Sequence, residues 1–153
     1  ERLSRRVQAV TGLNILTAAE SLQIGNYGLG GHYAPHLDHE EEKDHGLDNC
    51  FPSVKMGNRI ATWMFYLSDV KLGGATIFSS AGITIWPRKG SAAFWYNLRS
   101  SGHSDPLTRH AGCPVLIGSK WFANKWIHNH HQEFRKKCAK EPHQFQVVEP
   151  GHH

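Results

Sequence analysis

Residues 59–98 read RIATWMFYLSDVKLGGATIFSSAGITIWPRKGSAAFWYNL, and this stretch decides the fold. Its β-branched and aromatic residues gather in runs at 59–68, 74–78, 83–86 and 92–97, with Gly, Ser, Pro and Asn between them. Two further runs, 114–117 and 120–128, continue the pattern. Short strands at regular spacing, separated by turn residues, predict a sandwich or barrel. Upstream, Leu22 and Ile24 alternate with polar neighbours and predict a strand over 21–27. Leu3, Val7 and Val10 recur at helical spacing, and Gly12 offers a stop, so a short amphipathic helix is expected over 1–11. Gly28, Gly30 and Gly31 lead into Tyr33–His39, and the polar run HEEEKDHGLDN at 39–49 reads as a solvated loop. The tail 139–153 has no clear period. With neither an internal repeat nor a linker, a single domain is expected.

Composition narrows the function. The chain has 153 residues, 39% apolar and 20% charged, which speaks against disorder. No apolar run approaches the roughly 20 residues of a bilayer-spanning helix, so no membrane partner is expected. Fifteen Gly and seven Pro disfavour a helical bundle. The net charge is +4, but the Lys and Arg are scattered, so no nucleic-acid partner is expected. Twelve His stand out, and His is the commonest metal ligand. His128, His130 and His131, and the pair His152 and His153, read as solvated clusters, while His32, His39 and His45 read as surface residues. Trp63, Trp86, Trp95 and Trp121 are expected in the core or its shell. Cys50, Cys113 and Cys138 form no CxxC, so no structural zinc site of ordinary spacing is present. Glu1 opens the chain without a signal-peptide pattern, as expected for a piece of a longer protein.

Two constellations carry chemistry. In His36-Leu37-Asp38, a strand would direct residues i and i+2 to the same face, so an imidazole and a carboxylate converge. Two His and one carboxylate on one side of a ferrous ion leave positions open for substrate and oxygen. His110 is the candidate for the second imidazole. Ten residues on, Lys120 opens a strand whose period of two puts Lys120, Phe122, Asn124 and Trp126 on one face. A cation on an apolar face is costly unless paired. Lys120 is therefore either a strand-end lysine that snorkels to water or a buried cation awaiting an anionic ligand.

The pattern His36-x-Asp38, His110 and Lys120 resembles the iron- and 2-oxoglutarate-binding residues of the prolyl 4-hydroxylases. Asn26-Tyr27-Gly28-Leu29-Gly30-Gly31, Gly57-Asn58-Arg59-Ile60-Ala61-Thr62, Phe65-Tyr66-Leu67-Ser68-Asp69-Val70, Phe94-Trp95-Tyr96-Asn97-Leu98 and Asn124-Lys125-Trp126-Ile127-His128 are similar to the catalytic domain of the collagen-type α subunits. The likeness runs from about residue 3 to Cys138, which divides the chain into a catalytic domain, 1–138, and a tail, 139–153. It implies a mainly β double-stranded β-helix, or jelly roll, with a short N-terminal helix. His36, Asp38 and His110 would hold Fe(II), and Lys120 would pair with the distal carboxylate of 2-oxoglutarate. Tyr27, Thr76 and Tyr66 would complete that pocket. Tyr33, Arg59, Trp126 and His128 match positions that contact the peptide. The activity implied is hydroxylation of proline in X-Pro-Gly, collagen-like peptides, with 2-oxoglutarate and O2 consumed and ascorbate as reductant. A dioxygenase of the same fold with another substrate, or an idle proline-rich-peptide binding module, are the alternatives. The resemblance further implies a Cys113–Cys138 disulfide, the endoplasmic reticulum lumen, and protein disulfide isomerase as the β subunit of a full-length enzyme. Cys50 and the loop 39–53 depart from the family pattern.

Overall fold

The structure, a computed structural model, describes residues 1–39, 57–137 and 139. Helix α1 (Arg2–Thr11) is followed by ten strands: β1 (Gln23–Tyr27), β2 (Tyr33–His36), β3 (Arg59–Tyr66), β4 (Leu72–Gly73), β5 (Thr76–Phe78), β6 (Ile83–Ile85), β7 (Ala92–Tyr96), β8 (His110–Gly112), β9 (Val115–Ile117) and β10 (Lys120–His128). Two four-stranded sheets, ordered β1-β10-β3-β7 and β2-β8-β5-β6, face each other, and β4 pairs with β9 in a separate ladder. Every ladder is antiparallel. This is the sandwich expected from the train of short strands, in the jelly-roll form that the resemblance implies. No helix among the described residues is long and apolar enough to cross a membrane.

The first sheet has two working faces. On its outer face Val7 of α1 packs with Leu13, Ile15, Ile60, Ala61, Leu98 and Ile127. On its inner face Met64, Tyr66, Ala93 and Phe122 pack together, with Ile85 of the second sheet against them. Period-two alternation along β10 sends Lys120, Phe122, Asn124 and Trp126 inward, as the sequence pattern predicts. Helix α1 ends as expected, with Gly12 at φ 72° and its N–H donating to the Gln8 carbonyl at 2.9 Å. Its apolar face is narrower than the spacing predicts. Val7 is buried, whereas Val10 is 74% exposed, because little of so short a helix reaches the sheet.

Local pattern mislaid three elements. The expected strand 74–78 is shortened to Thr76–Phe78 in the second sheet, and Leu72–Gly73, just before it, pairs separately in the β4–β9 ladder. Gly73 and Gly74, at φ 80° and 70°, turn the chain between them. Strand β2 contains Pro35, which is tolerated because β2 is an edge strand. Strand β8 is three residues, His-Ala-Gly, and owes its strand form to pairing on both sides. Trp86 and Trp121, expected in the core or its shell, are instead exposed, while Trp63 and Trp95 pack against the two core clusters. Trp121 points outward from β10, and Trp86 follows an edge strand. The expectations for loop 40–53, including His45 and Cys50, and for the tail beyond Ala139 lie outside the described residues.

One glycine matters to the inner face. A Cβ on Gly25 would lie 2.3 Å from Cζ of Phe122, whose ring also meets Tyr27 at 4.9 Å. Gly25→Ala is expected to cost about 1–3 kcal/mol through this overpacking. Thermal unfolding checks it, and an unchanged Tm would mean that the ring has room to yield.

Candidate active site

The three predicted ligands converge. His36 ends β2, Asp38 lies in the bend after it, and His110 opens β8 directly opposite His36 in the ladder. One ligand atom from each lies within 4.8 Å of the others. Asp38 Oδ1 is 3.4 Å from His36 Nε2 and 3.8 Å from His110 Nε2. His36 Nδ1 donates to the Ala34 carbonyl and His110 Nδ1 to the Thr108 carbonyl, each at 2.9 Å. A carbonyl only accepts, so each imidazole carries a proton on Nδ1, and its Nε2, which faces Asp38, is the nitrogen left to serve as a metal ligand. The His110 ring is held among His36, Phe78 and Trp95, at centroid distances of 4.3, 5.3 and 4.9 Å.

The electrostatics match a cation site. Burial raises the Asp38 pKa, but hydrogen bonds from His36 and Thr62 and the charge of His110 more than offset it and hold the carboxyl below its ordinary range. Burial lowers the pKa of His110, and Asp38 only partly opposes it. For His36, burial is outweighed by Asp38 and the Ala34 carbonyl, and the pKa rises. A carboxylate between two imidazoles whose Nε2 atoms face it is a facial donor set for a divalent metal such as ferrous iron.

Lys120 resolves the choice left open by the sequence. It is buried, 2% exposed, rather than snorkelling to water. Its Nζ donates to Thr76 Oγ1 at 3.1 Å, and Thr76 Oγ1 also accepts from the Tyr66 hydroxyl at 3.0 Å. The rings of Tyr27, Tyr66 and Phe122 stand 5.6–6.0 Å from the ammonium. Among the described residues no carboxylate pairs with Lys120. Burial lowers its pKa to about 8. A cavity of about 460 Å³ is lined by His36, Asp38 and His110 and by Lys120, Thr76 and Tyr27. A buried cation without a carboxylate partner, in the same cavity as a metal donor set, fits a ligand that chelates at one end and is anionic at the other.

The remaining predicted residues divide. Tyr33, Arg59 and Trp126 line the cavity. Tyr33 is 52% exposed and meets His36 edge-on at 4.2 Å. The Arg59 guanidinium lies 3.9 Å above the Trp126 ring, bonds Glu20 through Nε at 2.6 Å, and donates to the Asp38 carbonyl at 3.3 Å. His128, expected among solvated histidines, is buried behind this pair. Its Nε2 is 2.9 Å from Glu20 Oε1 and its Nδ1 is 2.6 Å from the Gly57 carbonyl. His39, expected at the surface, is also buried, 2.7 Å from the Ser104 hydroxyl. Tyr66 reaches the pocket through Thr76 and does not line it. Cys113 is half-buried and forms no disulfide among the described residues, and Cys138, its expected partner, lies outside them. Sequence reasoning missed Glu20, Thr62 and Asn97. Only Thr62 left a signal, a hydroxyl two residues before the inward positions Met64 and Tyr66 of β3.

Residues 22–128 match the 2OG-Fe(II) oxygenase superfamily, and the chain belongs to that superfamily. Within it, the chain is similar to prolyl 4-hydroxylase subunit alpha-1 of Homo sapiens, with 53% identity over 138 residues, or 90% of this chain and 25% of that protein. It is 51% identical over 143 residues to prolyl 4-hydroxylase subunit alpha-2 of Caenorhabditis elegans, covering 92% of this chain and 25% of that one. It therefore spans about a quarter of the length of the curated relatives it matches. A solved structure of the viral collagen prolyl hydroxylase from Paramecium bursaria Chlorella virus-1, in complex with 2OG, superposes with a TM-score of 0.67 at 28% identity, covering 83% of this chain and 69% of that one.

Proposed function

We propose that this chain is the catalytic unit of an Fe(II)- and 2-oxoglutarate-dependent prolyl 4-hydroxylase that acts on X-Pro-Gly, collagen-like peptides. The observation that supports it most is the shared cavity, with His36, Asp38 and His110 at one place and, at another, the buried ammonium of Lys120, which has no carboxylate partner among the described residues. In this reading the two Nε2 atoms and Asp38 Oδ1 hold the iron. When bound, the metal supplies oxygen activation coupled to oxidative decarboxylation of 2-oxoglutarate, giving succinate and CO2. Lys120, with Thr76 and Tyr27, receives the far carboxylate through charge-assisted hydrogen bonds. The apolar rings around Lys120 exclude water and strengthen that pairing.

The peptide faces Tyr33 and the Arg59–Trp126 stack. A polyproline II segment has few hydrogen-bond donors and flat apolar faces, and it suits a groove walled by aromatic rings. His128 acts on this groove through Glu20, which holds Arg59 in place. The likeness to the collagen-type α subunits supports a catalytic unit over 1–138 with 139–153 as a tail. It also supports ascorbate as reductant, residence in the endoplasmic reticulum lumen, a Cys113–Cys138 disulfide, and protein disulfide isomerase as β subunit of the whole enzyme.

The test is peptide-dependent succinate release with iron, 2-oxoglutarate and ascorbate, joined to mass spectrometry of a (Pro-Pro-Gly) peptide. One oxygen atom gained on proline, matched by one succinate, is expected. Succinate without peptide oxidation, or oxidation of another residue, would contradict the substrate assignment.

A pH dependence follows from Lys120. Its pKa of about 8 means that raising the pH above that value removes the proton on which 2-oxoglutarate binding depends. Affinity for 2-oxoglutarate is expected to fall roughly tenfold per pH unit above pH 8. Calorimetric titration with Mn(II) in place of iron checks this. A flat profile from pH 7 to 10 would mean that the ammonium does not contribute.

A further inference from the structure

We propose that Thr62 and Asn97 form a hydrogen-bond relay that gives the two oxygens of Asp38 separate tasks, one bound to the protein and one reserved for the metal. The inference rests on reading His36, Asp38 and His110 as the metal site. Thr62 sits on the inner face of β3, in register with Trp126 of β10 and Trp95 of β7. Thr62 and Asn97 are both fully buried. A hydroxyl there is costly unless hydrogen-bonded. Its single hydrogen goes to Asp38 Oδ2 at 2.7 Å, and its oxygen accepts from Asn97 Nδ2 at 2.9 Å.

The direction of the relay is fixed by counting hydrogens. With the Asn97 amide reversed, Thr62 would face two acceptors with one hydrogen, and one contact would become a repulsion between oxygens. The amide keeps its orientation although its own Oδ1 has no hydrogen-bond partner among the described residues. A buried orphan acceptor is unfavourable, so the donor to Thr62 outweighs it.

The relay also reaches a second ligand. The Asn97 carbonyl accepts from the Asp105 N–H at 3.1 Å. Asp105 caps the short 3-10 turn Pro106–Thr108, and the Thr108 carbonyl receives the Nδ1 proton of His110. Asn97 thus supports Asp38 through its side chain and His110 through its main chain. Asp38 Oδ1 is left facing both imidazoles. The Thr62 hydrogen bond engages a lone pair of Oδ2 and lowers its donor strength, which biases the carboxylate to meet an ion through Oδ1. Thr62 and Asn97 are therefore positioning residues that would favour Asp38 as a one-oxygen ligand through Oδ1.

Co(II) titration of the purified chain tests the relay without turnover, reading affinity by chelator competition and coordination by visible d–d absorption. Thr62→Val conserves shape and removes the donor. It is expected to weaken Co(II) binding about 10–100-fold and to alter the absorption band, as both carboxylate oxygens become free to bind. Thr62→Ser is expected to restore affinity and spectrum. His110→Ala serves as the reference for loss of the site. Binding that His110→Ala abolishes but Thr62→Val leaves unchanged overturns the relay alone. A Thr62→Val defect that Thr62→Ser fails to restore also overturns it, in favour of plain packing. Absence of Co(II) binding, or binding indifferent to His110→Ala, overturns the metal-site reading and the relay with it.

Discussion

Asp38→Ala is expected to leave a folded protein that neither retains iron nor consumes 2-oxoglutarate. The alanine removes the only carboxylate, among the described residues, that lies between the two imidazoles. Losing an outer hydrogen-bond partner of a metal ligand typically costs 10–100-fold in affinity, so losing the ligand itself should cost more than about 100-fold. Succinate release should fall to background with or without peptide. The metal-free protein offers a second measurement, since Asp38 holds the His36 pKa above its ordinary value. In the variant the His36 titration followed by NMR should move downward, because the anion that stabilised the imidazolium is gone. Near-normal succinate release, or an unmoved His36, would remove Asp38 from the site. His36→Ala and His110→Ala are expected to abolish turnover in the same way.

Lys120→Met is expected to separate stability from function. The ammonium is buried without a carboxylate partner among the described residues, and burial depresses its pKa to about 8. The unfolded chain holds that proton up to the ordinary lysine range, so stability rises with pH across the window from about 8 to 10.5. Below pH 8 the buried charge opposes folding. A methionine of similar length removes the charge, so the ligand-free variant should melt at or above the temperature of the unaltered protein, with a flatter pH dependence. Binding should change in the opposite direction. A 2-oxoglutarate carboxylate left without its buried partner costs roughly 3–5 kcal/mol. The 2-oxoglutarate requirement should therefore rise by about two to four orders of magnitude, while the peptide requirement and the affinity for iron hold. An unchanged 2-oxoglutarate requirement would contradict the role given to Lys120.

The parts legible in the sequence were those carried by a period or a fixed spacing. The inward face of β10 followed from alternation, and the end of α1 from Gly12. His36-x-Asp38 was readable because two donors two residues apart share a direction, even though Asp38 falls just past the strand. Strands β2 and β8 were not readable. Their pairing comes from the His36–His110 register across the sheet, and neither segment has the β-branched content that marks a strand locally. His128 and His39 misled for the same reason. Their burial depends on Glu20 and Ser104, which lie 108 and 65 residues away in the chain. Asn97, just beyond β7, gave no local sign of the support it lends to Asp38 and His110.

The central claim is tested most directly by crystals grown without oxygen and soaked with Fe(II) and 2-oxoglutarate, read by anomalous scattering at the iron edge. One peak is expected within bonding distance of His36 Nε2, Asp38 Oδ1 and His110 Nε2. The keto acid should chelate that ion and set its far carboxylate against Lys120 Nζ. Iron bound elsewhere, or a far carboxylate turned away from Lys120, would contradict the account.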